Sequence, residues 1–190
     1  RGLDLSIGSQ VGMSGVVLGA LMVWWNVPIV LAIFIALLVG ALAGAINGFF
    51  VVVLRVPPFI ATLATFYGYR GILEGVTKGT PISPMPESFK IIGLGSLFGV
   101  AYVIWFMIFL FIVATFVLRK TKYGRYTLAM GGNPQSTRLA GISTKKLTFS
   151  LYVLMGVLAC IAGIFFTSRF SSALPTLGVG MELKVIAACI

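Results

Sequence analysis

The sequence predicts an all-α fold, a polytopic transmembrane helical bundle. Three observations lead there. Apolar residues make up 59% of the 190 positions, against roughly 45–50% in an ordinary soluble domain. Charged residues are only 9%, where about 25% is usual. The apolar residues also fall in runs near the ~20 residues of helix that cross hydrocarbon, and mean hydropathy is +1.09. A soluble enzyme of this size needs more polar surface, and disorder needs low hydrophobicity with high charge, so both are excluded. Backbone groups inside lipid must pair within their own segment, which makes these runs helices.

Residues 7–25 form the shortest run and end in Trp24-Trp25, amphipathic rings suited to the interface. Runs 28–54, 97–118 and 147–168 carry no charge, and 57–73 carries only Arg70. Another run begins near Leu183. The expectation is about five full spans plus part of a sixth, with residues 1–190 forming one transmembrane domain. The chain opens on Arg1 and closes in the apolar run 185–190. It reads as a fragment of a longer protein, with spans missing at one or both ends.

Charge sets orientation. Half of the 14 basic residues lie in 119–146: Arg119, Lys120, Lys122, Arg125, Arg138, Lys145 and Lys146, with no acid among them. Loops rich in Lys and Arg stay cytoplasmic. Nucleic-acid binding needs a basic face on a soluble domain, which is absent. Counting outward, 74–96 faces outside as an irregular loop with Pro81, Pro84 and Pro86, and 55–58 turns inside. The link 169–182 faces outside with Arg169, Pro175 and Glu182. Asp4, between Gly2 and Gly8, has two readings: a broken helix lining a cavity, or a plain cytoplasmic turn.

There is no His, and the carboxylates number four: Asp4, Glu74, Glu87 and Glu182. No catalytic or metal site is indicated. Cys160 and Cys189 read as small core residues. No GxxxxGK[ST] phosphate loop occurs, so the chain itself binds no ATP that way. A proton-driven carrier would show acids or His inside its spans, and only Asp4 and Glu74 come close.

The basic loop 119–146 carries helix punctuation. Gly131-Gly132 break the chain, Asn133 is an N-cap, Pro134 suits the first helical position, and Gly141 ends the turn. A structured loop of this length has a job. It either docks a soluble partner or lies on anionic headgroups. Among polar residues in the spans, Arg70 and Glu74 form either a pathway group or an interfacial pair. Asn47, Thr62 and Thr65 serve as interhelical hydrogen bonds or as solute contacts. Phe66, Tyr67 and Tyr69 stack on a sugar or pack. Gly40, Gly44 and Gly48 make a smooth strip for close helix packing.

Several stretches resemble one family. GRYTLAMGGNPQSTRLAGI at 124–142 resembles the cytoplasmic loop of ribose-type ABC importer permeases. GLDLSIGS at 2–9, PPFIATLATFYGYRGILEGVTKGT at 57–80 and SRFSSALPTLGVGMELKVIAA at 168–188 match the same pattern in the same order. The resemblance implies the membrane subunit of a binding-protein-dependent system in the bacterial inner membrane, carrying a simple sugar such as ribose or a related small polar solute. Its implied partners are a second permease subunit, identical or not, a cytoplasmic ABC ATPase, an extracytoplasmic solute-binding protein and membrane lipid. It implies no enzyme activity and no cofactor on this chain, ATP being used by the partner. Gly132, Asn133, Pro134, Arg138 and Gly141 would form the coupling element within 119–146. Asp4, Asn47, Thr62, Thr65, Phe66, Arg70 and Glu74 are candidates for the path. Gln135-Ser136-Thr137 departs from the small residues expected there. The alternatives are an ion-coupled secondary carrier and a structural or sensory membrane protein.

Overall fold

The computed structural model describes residues 2–189. Arg1, Ile190 and the Cys189 side chain lie outside that description. Helix α1, Ile7–Gly19, runs on through a π turn, Ala20–Trp24, and forms the centre of the bundle. Nearly all of α1 is buried. Helices α2, Ile29–Val52, and α8, Thr144–Phe170, pack along each other and along α1, while α3, Pro58–Thr77, closes another side of α1.

Small residues permit that packing. A Cβ on Gly40 would lie 2.6 Å from Cys160 Cβ and 2.7 Å from the Gly156 carbonyl oxygen. One on Gly44 would run into the Tyr152 carbonyl. Lipid tails give no hydrophobic reason for two helices to associate, so backbone approach and dispersion must hold them.

Four helices are long and apolar enough to cross a membrane: Ile7–Trp24, Ile29–Val52, Tyr102–Lys120 and Thr144–Phe170. The expected run at 57–73 becomes α3, 20 residues long but more polar. It buries Thr62, Thr65, Tyr69 and Arg70, which explains why its apolar signal is weaker.

The expected irregular loop 74–96 is more ordered than its prolines suggested. α3 continues to Thr77, and Pro86 precedes α4, Glu87–Leu94, whose Phe89 is fully buried. Ser168 Oγ accepts from the Gly93 N–H at 2.7 Å and donates to the Phe89 carbonyl at 2.7 Å, tying α4 to α8. Strands β1, Ser96–Leu97, and β2, Val100–Ala101, turn through Gly99, whose φ is +77°. That turn delays α5 to Tyr102–Lys120, later than the run from 97 suggested. None of α5 is buried, and its Phe106 ring lies 4.9 Å from Phe165 of α8.

The link after α8 departs most from expectation. Residues 171–180 do not stay outside the bundle but run back along α1. Ala173 pairs with Ile82 and lies beside Gly19, the Leu177 carbonyl lies beside Gly12, and Gly178 meets Gly8. Gly19 and Gly8 are separated by about 16 Å of helix. Gly8, Gly12, Gly15 and Gly19 strip one face of α1 of side chains, so an irregular backbone fits against it. Buried irregular backbone is tolerated where its polar groups find partners. The last helix, α9, Met181–Cys189, starts from this inserted segment.

At the bundle's basic end the loop 119–146 forms two helices, α6, Lys122–Gly132, and α7, Pro134–Leu139. Gly131-Gly132 do not break the chain. They form the last turn of α6, and the break falls at Asn133, whose extended backbone (φ −142°, ψ 101°) serves both helices.

Candidate functional site

Asp4 lies at the basic end in the non-helical residues before α1 and is only 7% exposed. Its Oδ1 accepts from the Ser6 N–H at 2.9 Å and the Ser6 hydroxyl at 2.6 Å. Ser6 Oγ in turn accepts from Asn47 Nδ2 at 2.7 Å and Gln10 Nε2 at 2.6 Å. Asn47 Oδ1 accepts from the Thr65 hydroxyl at 2.6 Å. Thr62 Oγ1 accepts from the Leu5 N–H at 3.2 Å and donates to the Pro58 carbonyl at 2.8 Å. One network thus joins the entry to α1 with α2 and α3. Burial pushes the Asp4 carboxyl above the usual carboxylate range, and its hydrogen bonds from Ser6 act in the opposite direction. Asp4 Oδ2, Gln10 Oε1 and the Tyr152 hydroxyl are buried without a partner in the protein.

Asp4 fits neither of its two readings as drawn, being buried in the non-helical residues that lead into α1 and not among the residues that line the cavity behind α6 and α7. Thr65 and Asn47 join α3 to α2, which is the interhelical reading of those residues, whereas Thr62 ties α3 to the non-helical residues before α1. Ser6, Gln10 and Tyr152 were not singled out in the sequence. Their only signal was polarity within an apolar stretch.

Arg70 and Glu74 do not pair. Glu74 is exposed, and the only ion pair among the described residues joins Lys90 and Glu87. Arg70 is buried and turns inward, donating from Nη1 to the carbonyls of Pro175 and of Leu177, the latter at 3.1 Å. It supplies donors to the inserted segment 171–180, which is why an interfacial placement fails. Phe66 is half-buried, with the Arg70 guanidinium 5.8 Å from its ring centroid. Tyr69 is buried and donates to the Ala43 carbonyl at 3.0 Å, whereas Tyr67 is exposed.

In the basic loop, Asn133 Oδ1 accepts from the Gln135 and Ser136 N–H groups, each at 3.0 Å, and Pro134 takes the first helical position. Gly141 has φ +80° and carries the chain away from α7. Arg138 is exposed on α7, and Leu139 beside it is 89% exposed. Leu139 carries no capping, charge or turn signal, so nothing in the sequence pointed to it. Behind α6 and α7 lies an open cavity of about 510 Å³, bounded by Gly2, Pro58, Met130, Pro134, Thr148 and Tyr152 among others. Among the described residues no group of three His, Cys, Asp or Glu side chains gathers as a metal site would.

These features define a polytopic helical membrane protein with a structured, cationic loop at one end of its bundle. The chain belongs to the family described as branched-chain amino acid transport system / permease component, which matches residues 1–190. With its apolar helices, that membership makes it a multi-pass inner-membrane protein. It is 42% identical to the ribose import permease protein of Haemophilus influenzae, over 100% of this chain and 59% of the relative. It is 38% identical to the autoinducer 2 import system permease protein of Escherichia coli O9:H4, over 100% and 55%. It is 37% identical to the L-arabinose ABC transporter permease protein of Azospirillum brasilense, over 99% and 55%. The chain thus spans between 55% and 59% of the length of these relatives. No solved structure matches it.

Proposed function

We propose that the chain is part of the membrane-spanning subunit of an ATP-driven importer for a simple, ribose-like sugar or a related small polar solute. The observation that carries this reading is the 42% identity to a ribose import permease along the whole chain. In this reading residues 1–190 act as one transmembrane unit, and 119–146 is its cytoplasmic coupling loop. The capped helix α7 supports that role, since a tether would need no cap. Asn133 and Pro134 start α7, Gly132 and Gly141 flank it, and Arg138 with Leu139 presents a cation and an apolar knob to the ATPase. That ATPase binds and hydrolyses the nucleotide, an extracytoplasmic protein delivers solute, and a second permease subunit completes the path. Movement of α7 then shifts the population of bundle conformations. Asp4, Asn47, Thr62, Thr65, Phe66, Arg70 and Glu74 are proposed to shape or brace the path, most of them by holding helices in register.

The test is uptake into proteoliposomes holding the full-length permease, its ATPase and its binding protein. Sugar uptake should need ATP and ignore ionophores. Uptake abolished by ionophores and indifferent to ATP would instead make the chain part of an ion-coupled carrier. Arg138→Glu and Gly141→Pro should leave insertion intact and uncouple ATP hydrolysis from uptake. Normal uptake by both variants would remove the docking role.

A further inference from the structure

The cavity behind α6 and α7 has an uncharged lining, and the chain around it is basic, from which a cationic rim at its mouth is inferred. None of its wall residues carries a formal charge, and most of the wall is apolar, with Val51, Pro58, Met130, Leu151 and Met155 among its members. Apart from Gly2, each chain segment that supplies the wall also carries an exposed basic residue within a few positions. Arg55 lies between Val51 and Pro58, Arg125 just before Thr127, Arg138 one turn beyond Pro134, and Lys145 beside Thr144. Three of the acids are elsewhere: Glu74 lies in the far half of α3, Glu87 beyond it, and Glu182 after the inserted segment; Asp4 lies close by, two residues from Gly2, but is buried with Oδ1 taken by Ser6. The cavity lies where helices α2, α3 and α8 meet the basic loop, at headgroup depth for helices of this length.

A cavity of about 510 Å³ is within the range of small-molecule sites. A soluble anion would have no reason to seek greasy walls, and an apolar solute would have no use for the rim. A molecule with an apolar tail and an anionic head satisfies both. We propose that this cleft holds an acyl chain of an anionic phospholipid, with its phosphate gripped by Arg55, Lys145 and their basic neighbours. The lipid then forms a wedge between α6–α7 and the spans, so that bilayer composition acts on the helix proposed to couple to the ATPase. The site itself does not depend on the importer reading, since the rim stands at a membrane surface in either orientation.

The test uses the full-length protein in its assembly, in phosphatidylcholine nanodiscs doped with phosphatidylglycerol bearing a diazirine on its acyl chain. After illumination, peptide mass spectrometry maps the adducts. Adducts should concentrate at Met130, Leu151 and Met155, and unlabelled phosphatidylglycerol should compete where phosphatidylcholine does not. A surface basic residue contributes about 1 kcal/mol to anionic-lipid binding, so Arg55→Gln and Lys145→Gln should each lower cleft adducts about fivefold. Gly131→Leu tests the tail. Gly131 is one of the lining residues and a Cβ there meets nothing within 4 Å, so the helix tolerates the change, which adds bulk at the cleft wall. It should remove cleft adducts and leave those on the lipid-facing side of α2. The proposal is overturned by adducts spread evenly over α2 and α5 with no excess in the cleft. Adducts insensitive to both Gln variants overturn it too. So does competition by D-ribose or by the bound ATPase in place of phosphatidylglycerol, since the cleft would then be a solute chamber or a protein contact. Loss of ATP-driven uptake with the adduct pattern intact removes the importer reading and leaves the lipid site standing.

Discussion

Asp4 is the residue at which burial and charge conflict most plainly. Its carboxyl is pushed above the ordinary value of 3.8 by burial. The folded chain therefore keeps this proton to a higher pH than the unfolded chain does. The stability linked to Asp4 is fully present below 3.8, falls as pH rises through the folded-state value, and levels off above it. Asp4→Asn keeps an Oδ1 acceptor for Ser6 and removes the titration, so its melting temperature should stay flat across that window. Thermal melts of the full-length protein in nanodiscs measure both curves. A wild-type curve as flat as the variant's would show that Asp4 is not buried as a proton-holding group. Asn47, Thr62 and Thr65 could be picked out from sequence as hydrogen-bonding residues in apolar helices. Their partners could not, because Ser6 and Asn47 are 41 residues apart.

At the scale of elements, helices follow local signals closely and their contacts do not. α7 begins and ends where Asn133, Pro134 and Gly141 say it should. The glycine strip on α2 was legible as a packing face, and its partner was not. It packs on α8, which follows it by about a hundred residues. Gly44→Leu should therefore drive α2 from α8 and destabilise the protein by several kcal/mol, on the order of an overpacked core site or more. At Gly68, on α3, a Cβ would meet nothing within 4 Å. Gly68→Ala should instead gain about 1 kcal/mol from helix propensity. Melting temperatures of the two variants check the contrast, and equal effects would mean that the α2–α8 contact is not a close one.

The whole molecule is a bundle with a cationic end and a largely uncharged interior. If the basic end is cytoplasmic, maleimide applied outside intact cells should miss cysteines placed between 121 and 145. It should reach Phe98→Cys, since Phe98 is 88% exposed on the hairpin at the opposite end. Labelling of the loop from outside would invert the orientation and leave a cytoplasmic ATPase nothing to grip. The inserted segment 171–180 belongs to this scale as well. Pro175 and Glu182 read as parts of an outer link because, with Arg169, they interrupt an apolar run with a proline and two charges. Their place inside the bundle depends on a bare face of α1 and on the Arg70 donors, 105 and 107 residues away from the carbonyls they serve.

The sequence by itself determined the membrane class, the positions of the main helices, the concentration of positive charge at one end and the short helix within the basic loop. Each depends on hydropathy, charge or capping, which act over a few neighbouring residues. Only the tertiary structure decided that Arg70 leaves Glu74, that residues 171–180 enter the bundle, that Asp4 joins Asn47 through Ser6, and that a cleft opens beneath α7. Those outcomes depend on which helix faces meet. A buried polar group accepts whichever partner the packing brings within hydrogen-bonding distance.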